Sequence, residues 1–357
     1  MEEPNLMNRT TPRMIVCIIG SLLAGLLIFF MGICYANDTL KFMPIDPHAY
    51  NIVKLVLSVI VLGYAVYAFR NKVLLEGFII FLIGMSSLIF SMTYLIYSEG
   101  GLSILDIVFG VALVVMSLQV AKNRDWVLFV SVLTAGIGFI LAGLNTGGVT
   151  EGIFLLFSGA VMSSHAALQM MSAEISPNAV HCDFSDTILV ESVGILVFGI
   201  ACIVVGVWNL DNVIPLWDEE ANSYNMSKVV LSLAVLVFSF YAVRVGEFAT
   251  GMAMILFGVS CLTFSISIMV FGNSSVELVD VVFGMVFFVS SAILYFKGEK
   301  IKAAAFFLLF FTTTFYPLFG GDAMYLVLGL PLIGSAVLLI TSSIMFSLRS
   351  NTDIIPQ

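Results

Sequence analysis

Twelve runs of apolar residues, each close to the roughly twenty that a helix needs to cross a bilayer, leave this chain little choice of fold class. They occupy 14–35, 50–69, 73–95, 102–120, 125–143, 149–172, 187–209, 226–243, 247–271, 277–295, 301–319 and 323–347. Lipid offers the backbone no hydrogen bonds, so each run is predicted to be a helix that satisfies its own peptide groups. With 60% hydrophobic and only 10% charged residues and a mean hydropathy of +1.10, the expected product is an all-α polytopic membrane protein.

The runs fall into two sets of six that share one register. Glu76–Gly110 aligns without a gap on Thr250–Gly284, and Gly77, Gly84, Ser86, Phe90, Ser91, Asp106 and Gly110 recur 174 residues later as Gly251, Gly258, Ser260, Phe264, Ser265, Asp280 and Gly284. The same offset places Gly20, Gly25, Gly32, Tyr50, Asn51, Lys54 and Arg70 on Gly194, Gly199, Gly206, Tyr224, Asn225, Lys228 and Arg244. Charged residues are rare in this chain, so their coincidence at one offset points to a tandem duplication. The predicted division is a first six-helix unit, 1–173, a cytoplasmic linker, 174–186, and a second unit, 187–357. A weaker match of EGFIIFLIG at Glu76 to EGIFLLFSG at Glu151, three spans apart, is read as an inverted pair of three-helix units within each copy.

Charge placement orients the chain. With the N-terminus inside, Arg9, Arg13, Arg70, Lys72, Lys122, Arg124, Arg244, Lys297, Lys300, Lys302 and Arg349 fall on cytoplasmic segments, and Lys41 alone falls outside. This positive-inside pattern predicts a plasma-membrane protein with both termini in the cytoplasm. The opening residues read as the start of a retained first helix, not a cleaved signal. Five cysteines, mostly within apolar runs, read as small buried hydrophobes. No basic patch suits nucleic acid. There is no phosphate loop or metal-ligand cluster, so neither an enzyme nor a cofactor or metal is expected.

The candidate pathway residues are polar or aromatic groups inside spans. Lys54 and Asp106, repeated as Lys228 and Asp280, lie at the outer ends of their helices. An embedded charge is costly unless paired, so a Lys–Asp interaction is expected in each copy, serving either to join helices or to line a mouth. Ser86, Ser91, Ser260 and Ser265 share helices with Phe90 and Phe264, as hydroxyls and rings lining a narrow path would, although hydroxyls also bond to their own helix. His165 reads as the sole ionisable residue near mid-span. Glu76 and Glu247 are expected to interact with helix N-termini.

Each half resembles the acetate uptake transporter family of small six-helix permeases. The resemblance is carried by GEFATGMAMILFGVSCL (246–262), whose glycine spacing is similar to the family signature, and by the stretch 110–174. The family's entry motif is absent, and Phe257 and Ile83 stand where its signature has tyrosine. The resemblance implies a pore unit in each half, assembled into rings, here a trimer forming a pseudo-hexamer. The functional expectation is a transporter or channel for a small solute in the bilayer, with acetate or another small monocarboxylate as the best choice. A small neutral-solute channel of amide or urea type and a non-transporting structural membrane protein are the alternatives.

Overall fold

In the computed structural model, residues 11–41, 46–97, 103–144, 148–175, 187–214, 221–271, 277–319 and 322–353 are described. Among them there is no strand, and twelve helices are long and apolar enough to cross a membrane. Helix α1 (Ser21–Leu40) is entered through a turn at Pro12–Ile15 and a π-helical turn at Val16–Gly20. It is followed by α2 (Pro47–Arg70), α3 (Leu74–Tyr97), α4 (Ser103–Lys122), α5 (Trp126–Gly143) and α6 (Val149–Ile175). A second π-helical turn, Leu189–Gly194, leads into α7 (Ile195–Asp211), then α8 (Ala221–Arg244), α9 (Phe248–Phe271) and α10 (Glu277–Phe296). Helices α11 (Lys300–Phe315) and α12 (Asp322–Asp353) complete the chain. The apolar runs located these helices to within a few residues at most ends. Larger departures are the end of α1, the start of α8 and the end of α12, which extend past their runs. The chain is a multi-pass helical membrane protein.

Two compact units divide at Met170/Met171, with Thr11–Met170 forming one of them. Most of the expected linker, 176–186, lies outside the described residues, as do Arg9 and Cys182, while Glu174 and Ile175 continue α6. Among the described residues, Cys17, Cys34, Cys202 and Cys261 form no disulfide, and Cys202 and Cys261 are buried. The helix ends at which α1 and α7 begin are called inner below, and the opposite ends outer, after the orientation that the charges predict.

Small residues set the helix spacing. A Cβ on Gly32 would sit 2.6 Å from the Leu156 nitrogen and 2.8 Å from the Gly152 carbonyl, so α1 and α6 meet backbone to backbone. In the second unit a Cβ on Gly206 would lie 3.0 Å from the Gly329 carbonyl, bringing α7 onto α12 in the same way. Close approach of this kind replaces the hydrophobic driving force that lipid cannot supply.

Two inner turns per unit have matching geometry. Lys72 and Arg124 adopt φ of 61° and 63°, and Gly246 and Gly298, at the 174-residue offset, adopt 87° and 85°. After Ala68 and Ala242 the chain closes with the same bond, Val73 N–H to the Ala68 carbonyl and Glu247 N–H to the Ala242 carbonyl, each at 2.9 Å. This left-handed termination is one that glycine adopts without strain and lysine or arginine does not. Side-chain caps start other helices: Asp46 accepts from His48 N–H at 3.0 Å ahead of Pro47, and Asp125 accepts from Leu128 N–H at 3.1 Å.

Candidate functional site

Polar groups from all six helices of the second unit converge near its outer end. Lys228 projects from α8 two turns after the helix begins and is only 2% exposed. Its Nζ lies 4.7 Å from the ring centroid of Trp208 on α7 and 4.7 Å from that of Phe264 on α9. It has no hydrogen-bond partner among the described residues. Each cation–π contact is worth about 0.5–2 kcal/mol, whereas removing an ammonium from water costs several kcal/mol. Two ring faces therefore leave the charge under-compensated. Trp208 is itself braced by Tyr224, with centroids 4.8 Å apart.

Asp280 of α10 holds the acidic side of the site. Its Oδ1 accepts from Ser260 Oγ at 2.5 Å and its Oδ2 from Tyr316 OH at 2.8 Å. Lys228, Ser260, Phe264 and Asp280 border a cavity of about 290 Å³, whose wall is otherwise mostly aromatic and aliphatic and includes Trp208, Phe257, Phe283, Tyr316 and Tyr325. A mostly apolar recess with a few oriented polar groups is the usual form of a small-ligand site. It provides one cationic donor, a carboxylate and the side-chain amides of Asn209 and Asn212.

The first unit repeats part of this arrangement. Ser86 Oγ donates to Asp106 Oδ1 at 3.3 Å, as Ser260 does to Asp280. Lys54, also buried, lies 4.3 Å over the Phe90 ring, as Lys228 does over Phe264. The position of Trp208 corresponds to Cys34, and Tyr35 packs on Phe90 at 6.0 Å instead.

The expected Lys–Asp pairs are corrected by this geometry. Neither Lys54–Asp106 nor Lys228–Asp280 is an ion pair: the carboxylates turn to serines across the α3–α4 and α9–α10 contacts, and the lysines turn to aromatic faces. A serine hydroxyl from the preceding helix satisfies a carboxylate without extending a long side chain. Ser91 and Ser265 are buried without hydrogen-bond partners among the described residues, and Ser265 does not border the cavity. His165 is not isolated at mid-span. It meets Asp125, the residue capping the inner start of α5, at 3.4 Å and Gln169 at 2.9 Å.

An inner charge network in the second unit is not anticipated by the sequence pattern. Lys302, placed above with the cytoplasmic charges, is buried in α11 and contacts both oxygens of Glu191 at 2.8 Å as well as Glu299. Lys297 contacts Glu247 at 2.8 Å, Glu174 at 3.1 Å and Glu299 at 3.6 Å. Burial favours loss of the Lys297 proton, but Glu247, Glu174 and Glu299 outweigh it and raise the pKa above the ordinary lysine value. Glu247 and Glu76 therefore serve in ion pairs, with Arg13 reaching Glu76 at 3.3 Å. The available signal was an acid and a base inside apolar runs, Glu191 and Lys302, whose cost demands a partner. Glu191, Glu247 and Glu299 also approach one another closely enough to resemble a metal-ligand set, but the two lysine ammoniums occupy the same carboxylates.

No known protein family, curated protein or solved structure matches the chain.

Proposed function

We propose that the protein is a transporter or channel for a small solute and that the outer cavity of the second unit binds it. The solute is a small monocarboxylate, acetate being the simplest of the class. One observation carries this reading: a buried ammonium, Lys228 Nζ, borders an aromatic cavity without a hydrogen-bond partner among the described residues. A carboxylate supplies the missing countercharge and acceptor, and the aromatic wall suits the apolar remainder of an organic acid. The resemblance to acetate uptake transporters favours the same class. About 290 Å³ also admits acids larger than acetate.

The two units read as parallel copies of one six-helix ancestor, each an inverted pair of three-helix halves. The parallel part is supported by the matched left-handed turns, the π-helical turns that end at Gly20 and Gly194, and the paired Ser–Asp bonds. The orientation with both termini in the cytoplasm of a plasma membrane rests on the basic residues of the inner segments, and a trimeric ring rests on the family resemblance.

Binding of labelled acetate, propionate and benzoate to the full chain in nanodiscs, followed by their flux in proteoliposomes, tests the proposal. Saturable binding that Lys228→Gln weakens at least tenfold, with folding unchanged, is expected. Equal uptake of acetamide and unchanged binding in Lys228→Gln would instead favour the neutral-solute channel. Absence of flux across the panel would favour a structural protein.

A further inference from the structure

We infer that the solute's route runs within the second six-helix unit and that Phe198, Phe257 and Phe306, backed by the Glu191–Lys302 ion pair, close it on the inner side. This rests on the reading of the outer cavity as the solute site. A second cavity, of about 450 Å³, lies at the opposite, inner end of the same unit and is bordered by Glu191, Glu247, Glu299 and Lys302.

Three helices present the same sequence of features between these cavities. On α7 and its leading π-helical turn, Glu191 is followed by Phe198 and then by Val205 and Trp208 of the outer cavity. On α11, Lys302 is followed by Phe306 and then Thr312 of the outer cavity. On α9, which starts next to Glu247, Phe257 and then Phe264 face the outer cavity. At about 1.5 Å per residue, the phenylalanines of α7 and α11 lie roughly 6–10 Å outward of the ion pair and a similar distance inward of the outer cavity.

The three rings touch. Phe198 is 5.1 Å from Phe257 and 5.9 Å from Phe306, both in edge-to-face contact, and Phe198 and Phe306 are fully buried. An apolar constriction between the two cavities excludes water and ions. Beneath it, Lys302 joins α11 to the π-helical turn of α7. That turn is also held by Ser343 of α12, whose hydroxyl donates to the Ser192 carbonyl at 2.5 Å. A π-helical turn carries a backbone ladder out of regular register and is a frequent location of functional adjustment. Breaking the ion pair therefore loosens the turn that leads into α7, the helix that carries Phe198.

The first unit has no such closure at the corresponding positions. At the 174-residue offset, Ala24, Ile83 and Cys17 stand in place of Phe198, Phe257 and Glu191. The pathway and its inner closure are thus assigned to the second unit alone.

Cys261 borders the outer cavity and serves as the reporter. In a full-length chain with Cys17, Cys34, Cys182 and Cys202 replaced by alanine, a small membrane-impermeant thiosulfonate is applied from either side of oriented vesicles. Modification of Cys261 from the outer side only is expected. Phe198→Ala and, separately, Phe306→Ala should raise the inner-side rate at least tenfold, and so should Glu191→Gln. Carboxylate binding in nanodiscs is measured on each variant as the check on folding. If a variant loses binding, the milder Phe306→Leu replaces it and is expected to raise the inner-side rate by a smaller factor. An inner-side rate that does not rise in variants that still bind carboxylate overturns the closure. Rapid inner-side modification of the parent also overturns it, as does absence of modification from both sides in every variant. Loss of carboxylate binding by the parent itself would remove the solute-site reading, so the two failures are distinguishable.

Discussion

The two six-helix units share their scaffolding and differ in their chemistry. Both pack their first helix on their last through small residues, both turn at left-handed positions after their second and fourth helices, and both tether an aspartate to a serine. In the second unit, however, the lysine is capped by tryptophan as well as phenylalanine, and acid–base pairs line the inner end, the Glu191–Lys302 pair buried. The first unit has the Phe90 ring over Lys54 and, at its inner end, a half-exposed network of Arg13 with Glu76 and His165 with Asp125. Helix contacts built from small residues tolerate little change, because any added carbon meets backbone. Side chains that face a cavity are free to diverge.

This contrast is testable at graded strength. The largest difference is expected at the inner ends. Lys302→Ala leaves Glu191 buried without its partner and should cost about 3–5 kcal/mol, while Arg13→Ala, whose side chain is 69% exposed, should cost no more than about 1 kcal/mol. Thermal unfolding in one detergent would show both, and the double variant Glu191→Leu/Lys302→Met should recover most of the loss. Equal effects of the two single variants would remove the contrast.

Next come the helix contacts. Gly32→Ala places a Cβ against backbone at 2.6 Å and should cost about 1–3 kcal/mol. Gly206→Ala should cost less, since its nearest obstacle is the Ile333 side-chain carbon Cγ1 at 2.8 Å. Gly63→Ala, with nothing within 4 Å, should stabilise α2 by up to about 1 kcal/mol. The aspartate tethers should rank similarly: Ser86→Ala removes the hydroxyl on Asp106 and is expected to cost about 1–3 kcal/mol, more than Ser260→Ala, because Asp280 keeps Tyr316. Smallest are the turns. Lys72→Gly and Arg124→Gly should stabilise by a few tenths to about 1 kcal/mol, and Gly246→Ala and Gly298→Ala should destabilise by a similar amount. Matched melting curves of these four variants would reveal whether the turns of the two units are energetically equivalent.

Much of this architecture was legible in the chain. Twelve apolar runs located twelve helices because a helix in lipid satisfies its own backbone, so hydropathy and length are sufficient. Gly32 and Gly206, which the repeat register pairs, both lie at close helix contacts. Site residues were legible as positions but not as partners: Lys228, Ser260, Phe264 and Asp280 do border one cavity, whereas Ser265 does not. Trp208 and Tyr316, which complete that wall, carry no charge or repeat to mark them, since Trp208 corresponds to Cys34 in the first unit.

What the sequence by itself determined is therefore local: which segments are helical, where they end, and which positions the halves share. These depend on hydropathy, caps and spacing within one segment. The tertiary structure alone decided that the aspartates turn to serines, that Trp208 and Phe264 enclose Lys228, and that Lys302 meets Glu191 across 111 residues of chain. Those outcomes depend on the rotation of each helix about its axis and on which distant helix it faces, and a periodic apolar pattern with nearly uniform hydrophobicity on all sides specifies neither.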